Sequence, residues 1–167
     1  MCEQPPYSLL ARGIEADVLP VCEKYGMGVI TWSPLAGGWL SGRYRQGREL
    51  PESRRAKRFP QRYDMSLPVN QRKLEATEKL AQLAEEAGLT LIEMAIAFTL
   101  HHRAVTSAII GPRTIEHLES QLPAADIRLD ADLLDRIDEI VPPGTTLNPI
   151  DAGWHNPALS DPSLRRR

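Results

Sequence analysis

The sequence predicts an α/β protein with a parallel sheet, and three observations lead to that class. Two short apolar runs, 28–32 and 107–110, have the length and composition of strands buried on both faces. Longer amphipathic segments lie between and after them, so helices alternate with strands. The composition, 42% hydrophobic and 25% charged, is ordinary for a globular domain.

Bulk properties exclude several classes of protein. A chain of 167 residues forms one domain or part of one. No apolar run approaches the roughly 20 residues of a membrane span, and no signal peptide opens the chain, so we expect a cytoplasmic protein without a membrane partner. Two cysteines, Cys2 and Cys22, give no disulfide framework, and no His/Cys spacing indicates a metal site. A net charge of −2 gives no general attraction to nucleic acid.

The first elements are a helix and a strand. Pro5-Pro6 interrupts regular structure at the start of the chain. A helix is predicted next, because four apolar side chains recur on one helical face: Ile14, Val18, Leu19 and Cys22. Gly26 ends it, and the strand 28–32 follows.

A long polar stretch runs from that strand to about Pro68 with little periodicity. Plain connections of that length are unusual inside a compact domain, so we expect the stretch to be functional or mobile. Its residues 43–62 hold eight Lys/Arg against two Glu. This excess of positive charge predicts an anion site, although a solvated basic loop explains it equally well.

Helices dominate the second half. Residues 70–87 form an amphipathic helix whose buried side is predicted to hold Leu74, Thr77, Leu80, Ala81, Ala84 and Ala87. Thr90 and Glu93 have the spacing of a capping box, which begins a second helix through Leu100. After the strand 107–110, further helices are predicted over 114–122, capped by Thr114, and over about 131–141.

Ligands of parallel α/β proteins bind where the strands end, and both strands end in unusual sequences. After the second strand, Gly111 permits close backbone approach, a helix start offers free N–H groups, and Arg113 suits a phosphate. An ordinary turn with an exposed arginine is the commoner explanation of such a pattern. No phosphate-binding P-loop occurs, and Gly26-Met27-Gly28 precedes its strand, whereas a Rossmann fingerprint must follow one.

The remaining candidate groups have ordinary explanations. His101 and His102 lie near a helix end, where the helix dipole favours cations. Cys22 belongs to the apolar face of its helix, whereas His117 follows Gly111 closely enough to contact a nucleotide. No catalytic Ser-His-Asp order and no persuasive acid/base pair are visible.

Four stretches carry a resemblance to a known family: CEQPPYSLL, GMGVITWSPLAGGWLSGRY, AIAFTL and SAIIGPRTIEHLESQL. In order and spacing they resemble the carboxyl-terminal half of an aldo/keto reductase, closest to the branch that contains the potassium channel β subunits. That family has a (β/α)8 TIM barrel fold. The resemblance implies an incomplete barrel, with the chain's beginning, 28–32 and 107–110 as strands six to eight.

The resemblance also implies an NADP(H) site. The indole of Trp32 would stack on the nicotinamide, and Gln4 would hydrogen-bond its carboxamide. Residues along the pyrophosphate and ribose would be Ser33, Pro34, Leu35, Gly37, Ser41, Arg43 and Arg54. Residues at the adenosine end would be Gly111, Arg113, Thr114, His117 and Gln121. A cationic 2′-phosphate site favours NADPH over NADH, because only NADPH offers it a phosphate.

No catalytic residue is assigned to this chain. The family's Asp, Tyr, Lys and His tetrad lies on early strands that have no counterpart here, and the tyrosines present do not match its motif: Tyr7, Tyr25, Tyr44 and Tyr63. We therefore expect a partial reductase of aldehydes or ketones, its start at Met1 falling inside a longer reading frame. The alternatives are a non-catalytic nucleotide-binding or regulatory protein, or a split-barrel subunit completed by another chain. An unstable remnant without function is a third possibility.

Two further expectations concern partners and the tail. Unpaired sheet edges and barrel-interior side chains predict low solubility, self-association or partial molten character for residues 1–141. Gly-Pro-Arg at 111–113 departs from the Gly-Ala-Ser of channel subunits, so channel partners are not expected. Residues 142–167 read as an irregular tail, and its Trp154 and His155 face either a pocket or solvent.

Overall fold

The computed structural model describes residues 1–154 and 156–166, and within them three parallel strands form the sheet. The strands are β1 (Cys2–Glu3), β2 (Gly28–Trp32) and β3 (Ser107–Ile109), with β2 in the centre. Cys2 pairs with Gly28 and Trp32 pairs with Ile109. The predicted parallel α/β class is therefore confirmed.

Six α-helices accompany the sheet in the described residues: α1 (Val18–Lys24), α2 (Arg54–Arg58), α3 (Pro68–Glu86), α4 (Leu91–His101), α5 (Ile115–Glu119) and α6 (Ala131–Ile140). The predicted capping box is confirmed, because Thr90 accepts from the Glu93 amide and the Glu93 carboxylate accepts from the Thr90 amide. Thr114 and Asp130 cap α5 and α6 with a single bond each, because their side-chain oxygens accept from the backbone N–H groups of His117 and Leu133.

Helix boundaries differ from the prediction where local caps and prolines act. The predicted first helix is split, because the Asp17 carboxylate caps α1 at Val18 and leaves Ile14 in a separate 3₁₀ turn, Gly13–Glu15. The helix predicted over 114–122 ends at Glu119, and a 3₁₀ turn at Leu122–Ala125 follows. Ala87 is exposed rather than buried, because α3 ends at Glu86.

The polar stretch before Pro68 is more regular than the sequence predicts. It contains α2, whose first turn is capped by the Ser53 hydroxyl, and a 3₁₀ turn at Pro60–Arg62. Each of these elements spans only about one turn, which is too short to produce an apolar periodicity in the sequence, so neither was predicted.

The prediction that both strands are buried on both faces is wrong. In β2, Val29 and Thr31 are buried, but in β3 the side chains of Ser107 and Ile109 are exposed. β3 is an edge strand that pairs only with β2 in the described sheet, and these side chains share a face on which they meet solvent. The other face packs on helices, where Val29 lies in the hydrophobic core with Leu19 and Cys22. The prediction that Cys22 is a core residue is therefore confirmed.

The described tail contains three 3₁₀ turns, at Pro149–Ala152, Pro157–Leu159 and Pro162–Leu164, and Thr146 before them forms an isolated antiparallel bridge with Ala11. Its first turn nevertheless docks on the body of the protein, as detailed below. Trp154 is 80% exposed, whereas His155 lies outside the described residues. None of the helices in 1–154 and 156–166 has the length and apolarity that a membrane crossing requires.

Candidate functional site

The carboxyl ends of β2 and β3 lie side by side, because Trp32 and Ile109 are register partners. Two connections leave the sheet at this edge: the β2 loop (residues 33–43) and the β3 turn (residues 110–117). Most of the nucleotide-site residues expected from the resemblance lie on these two connections. The geometry of the candidate site therefore depends on the contacts that fix the β2 loop and the β3 turn.

The segments around Gln4 and Trp32 are in direct contact. The Trp32 indole Nε1 donates to the backbone carbonyl oxygen of Gln4 at 3.1 Å, while Gln4 itself is exposed. The backbone of Trp32 bonds on the same side to Pro5 and Tyr7. The ring itself is half-buried, and a Cβ added at Gly153 of the tail would lie 3.7 Å from its Cζ2.

The backbone of the β2 loop is strained from its first residue. Ser33 and Ala36 have positive φ angles, 60° and 49°, which non-glycine residues rarely adopt. Gly37 and Gly38 follow with φ of 71° and 104°. The glycines were visible in the sequence, but nothing local indicates the strain at the two other positions. Pro34 is buried and Leu35 half-buried, so the loop turns over the core.

Gly37 is held against Tyr63. The Tyr63 hydroxyl donates to the Gly37 carbonyl at 2.9 Å, and a Cβ at position 37 would lie only 2.7 Å from that hydroxyl oxygen. The Arg55 Nη1 atom is 3.5 Å from the same Cβ position. Arg54, the expected arginine of α2, is exposed, and its neighbour Arg55 is the one beside the loop.

The second half of the β2 loop brings Ser41 and Arg43 together. The Ser41 hydroxyl donates to the Gly38 carbonyl at 2.6 Å and accepts from Arg43 Nε at 3.3 Å. The Arg43 Nη2 atom lies 3.6 Å from the Cβ position of Gly38. Two guanidinium groups, those of Arg43 and Arg55, therefore flank backbone that carries no side chain. This arrangement suits an anion that contacts backbone closely.

An aromatic and cationic group lies beneath the β2 loop, and we call it the Trp39 cluster: Trp39, Tyr44, Tyr63 and Lys73. The Trp39 ring stacks on Tyr44 at 4.5 Å and on Tyr63 at 5.8 Å between centroids. The Lys73 ammonium lies 4.5 Å from the centroid of the Trp39 ring. Sequence analysis missed Lys73, although its helical spacing of four and seven from Thr77 and Leu80 places it on the buried face.

Lys73 is a buried cation with one carboxylate partner. Its side chain is 1% exposed, and its Nζ atom lies 2.6 Å from Asp151 Oδ2 in the tail. Burial lowers the pKa of Lys73, and the charge of Asp151 opposes that shift. The pair joins α3 to the tail across 78 residues of sequence.

Hydroxyl groups near the site are firmly protonated. The pKa of Tyr63 is raised to about 12, mainly by burial and to a smaller extent by the charge of the neighbouring Tyr44. Burial also raises the pKa of Tyr44 and of Tyr7, whose hydroxyl donates to Glu15 at 2.6 Å. At neutral pH, Tyr63 and Tyr7 therefore act as hydrogen-bond donors to protein groups.

The β3 turn is built by local contacts. The Thr114 hydroxyl caps α5 by accepting from the His117 amide, and Gly111, Arg113, Thr114 and His117 are all exposed. A Cβ at Gly111 would meet no atom within 4 Å. Gln121, also expected at the adenosine end, is buried after the end of α5. Four of the five expected residues thus share one open turn.

The site is an open edge with little enclosed space. A cavity of about 20 Å³, lined in part by Trp32, Gly37, Tyr63 and Asp151, has room for about one water molecule. Within 1–154 and 156–166, no three His, Cys, Asp or Glu side chains are grouped as a metal ion requires. The predicted helix-end histidines lie elsewhere, and burial lowers the pKa of His102, whose Nδ1 accepts from the Ala104 amide.

A family model described as the aldo/keto reductase family matches residues 1–142 of the chain. Two relatives show the range of the similarity. The uncharacterized oxidoreductase YrpG of Bacillus subtilis is 38% identical over 140 residues, covering 84% of this chain and 40% of its own length. A putative voltage-gated potassium channel subunit beta of Schizosaccharomyces pombe is 32% identical over 146 residues, covering 84% of this chain and 42% of its own.

A third relative, a probable voltage-gated potassium channel subunit beta of Arabidopsis thaliana, is 33% identical over 143 residues, covering 83% of this chain and 43% of its own length. The chain therefore spans 40% to 43% of the length of these curated relatives. The matched part contains both the β2 loop and the β3 turn.

Proposed function

The chain belongs to the aldo/keto reductase family, and from this premise we propose that it carries the NADP(H)-binding part of an oxidoreductase. The observation that carries the proposal is the register of Trp32 with Ile109, which brings the β2 loop and the β3 turn to one edge of the sheet. Ligands of parallel α/β folds bind at that edge. The substrate class we propose is a small aldehyde or ketone.

The β2 loop fits a pyrophosphate. Gly37 and Gly38 place backbone without side chains beside the Arg43 and Arg55 guanidinium groups, and Ser33 and Ala36 turn the loop with positive φ angles. The guanidinium groups of Arg43 and Arg55 supply positive charge next to Gly38 and Gly37. We therefore add Arg55 to the residues that would hold the cofactor, beside Ser33, Leu35, Gly37, Ser41 and Arg43.

The β3 turn fits the adenosine end. Arg113 is exposed beside Gly111, whose backbone no side chain covers, and these features support a 2′-phosphate site. His117 and Gln121 would lie toward the adenine. This placement predicts a preference for NADPH over NADH.

When bound, NADPH supplies the hydride for reduction of a carbonyl carbon. The part played by this chain is binding and orientation: the half-buried Trp32 ring, fixed through its indole N–H to Gln4, would present one face of the nicotinamide. We propose no acid/base residue here, because the Tyr7 and Tyr63 hydroxyl groups already donate hydrogen bonds to the Glu15 carboxylate and the Gly37 carbonyl. Turnover would then depend on residues outside this chain.

The same hydroxyl contacts favour a second candidate, a nucleotide-binding protein or split-barrel subunit without chemistry of its own. Both candidates share the cofactor site, and both predict that the purified chain binds NADPH without oxidising it in the presence of a panel of aldehydes. Oxidation that appears only when a separate chain supplies the amino-terminal half of a barrel supports the split-barrel subunit. Turnover by this chain alone contradicts both candidates.

The cofactor proposal is tested by substituting Arg113 with alanine. We expect Arg113→Ala to weaken NADPH binding about tenfold, by loss of a charge-assisted contact, and to leave NADH binding unchanged. The measurement is a fluorescence titration of the reduced nucleotide. The matched control is Arg72→Ala, an exposed arginine on α3 that the proposal gives no role. Equal NADPH affinity in Arg113→Ala and the parent chain overturns the proposed 2′-phosphate site.

A further inference from the structure

The first turn of the tail is tied to the segment that ends at Tyr63. The side-chain amide of the buried Asn148 donates through Nδ2 to Asn70 Oδ1 at 2.9 Å and to the Gln61 backbone carbonyl at 3.3 Å. Arg62 Nη2 donates to the Ile150 carbonyl at 2.9 Å. These bonds dock residues 148–151 beside the 3₁₀ turn Pro60–Arg62 and the start of α3.

Asp151 is the charged centre of this contact. One of its carboxylate oxygens lies 2.6 Å from Lys73 Nζ and the other lies 3.4 Å from Arg62 Nε. The Lys73 ammonium also lies 3.5 Å from the Arg62 carbonyl. A single carboxylate, itself only 16% exposed, therefore neutralises a buried lysine and pairs with the Arg62 side chain.

The partners of Asp151 lead directly to the β2 loop. Tyr63 follows Arg62 in sequence, and its hydroxyl holds the Gly37 carbonyl. Lys73 and Tyr63 both contact the ring of Trp39, which follows Gly38 by one residue. The route from Asp151 to Gly37 thus passes through groups that are buried or half-buried.

We propose that Asp151 is a positioning residue, which holds the β2 loop in its nucleotide-binding conformation through Arg62, Lys73 and Tyr63. The inference rests on the proposed function, because the loop is useful in this conformation only if it binds NADP(H). Docking of the tail and binding of the nucleotide are then linked, and each strengthens the other by the same factor.

The physical reason is the burial of Lys73. Without the Asp151 carboxylate its ammonium has no counter-charge among the contacts described, so Lys73 must lose its proton or move toward water. Either change disturbs the Trp39 ring and the segment that carries Tyr63. The Gly37 carbonyl then loses its donor, and the strained φ angles of the loop are no longer supported.

The test compares Asp151→Asn with Asp161→Asn, a control that removes an exposed tail carboxylate whose side chain caps a separate 3₁₀ turn. For Asp151→Asn we expect NADPH affinity to fall about fivefold to tenfold. Amide hydrogen exchange at Gly37–Leu40 should accelerate about tenfold without nucleotide, while amides of α6 keep their rates. The control should change neither quantity.

A second variant, Tyr63→Phe, removes only the hydroxyl that holds Gly37. We expect it to accelerate exchange in the β2 loop and, by linkage, to loosen residues 148–151. The variant that carries both substitutions should bind NADPH no more than about twofold more weakly than the single variant with the lower affinity, since the two substitutions act through one contact. If Asp151→Asn does not fold, Tyr63→Phe alone tests the proposal.

Three outcomes overturn the inference. They are unchanged exchange at Gly37–Leu40 in Asp151→Asn, uniform acceleration across all helices, and fully multiplicative effects in the double variant. Failure of the parent chain to bind NADPH overturns the proposed function instead. In that case, the exchange measurements made without nucleotide still decide whether Asp151 controls the loop.

Discussion

The β2 loop and the β3 turn leave the same edge of the sheet but are held in opposite ways. The β2 loop lies on the buried Trp39 cluster and is fixed by Tyr63, a residue 26 positions away. The β3 turn is exposed and is fixed by Thr114, whose partner is three positions away. One connection is preorganised by tertiary packing and the other by a local cap.

Under the proposed function, this difference gives the two connections different parts in nucleotide binding. A loop whose strained backbone is already in place loses little conformational entropy when an anion binds. An exposed turn contributes mainly charge and free N–H groups, which is enough to distinguish a phosphate from a hydroxyl. Substitutions in the packed region should therefore alter stability, whereas substitutions in the β3 turn should alter ligand preference.

The largest expected effect comes from Lys73→Ala. Removing one member of a buried ion pair leaves Asp151 with only its longer contact to Arg62 and opens space beside Trp39, so the free energy of unfolding should fall by about 3 kcal/mol. Chemical denaturation measures this quantity. Lys79→Ala, on the exposed side of the same helix, should change it by less than about 0.5 kcal/mol. Equal losses in the two variants would contradict the view that Lys73 organises this region.

A smaller effect separates the two connections directly. At Gly37, φ is 71° and a Cβ would lie 2.7 Å from the Tyr63 hydroxyl, so Gly37→Ala should cost about 2 kcal/mol of stability. At Gly111 nothing lies within 4 Å of the added Cβ, and φ is not in the left-handed region, so Gly111→Ala should be within about 0.5 kcal/mol of the parent. Thermal and chemical melts of both variants provide the comparison. A destabilised Gly111→Ala would show that the β3 turn is packed after all.

The smallest effect concerns the anchor that follows Arg43. Arg45 forms two bonds of 2.9 Å with Glu78 on α3, and these bonds lower the pKa of Glu78 to about 2. Because the folded pKa lies below the unfolded value, this carboxylate stabilises the fold fully above pH about 4.5 and loses its contribution as the pH falls toward about 2. With solvent screening, Glu78→Gln should cost about 1 kcal/mol at pH 7 and less at pH 3. Melts at both pH values test this, and parallel losses would count against the pair.

Much of the fold could be predicted because its signals are local. β2 was predicted with its observed bounds, and the caps of α4 and α5 were visible as single residues at fixed spacing. Besides the helix boundaries, one wrong prediction concerns burial: Ser107 and Ile109 belong to a short strand whose exposure depends on what covers the sheet. A pattern of residue types cannot report which side of a sheet lacks a neighbour.

For the candidate site, the motifs indicated the two connections but not the support beneath them. Trp32, Ser33 and Gly37 could be placed at a strand end from the sequence, and Gly111 and Arg113 likewise. Arg55 and Asp151 could not, because the sequence offers adjacent arginines and an unremarkable aspartate in an irregular tail. The roles of all these residues in nucleotide binding stay predictions.

The sequence by itself determined the alternation of helices and strands, the caps that begin α4 and α5, and the family to which the chain belongs. Tertiary structure alone decided that Lys73 pairs with Asp151 of the tail and that Tyr63 holds Gly37. The reason is one of range: caps and periodicity act within about one helical turn. The contacts beneath the β2 loop join residues 26 and 78 positions apart, and only packing of the whole chain brings these together.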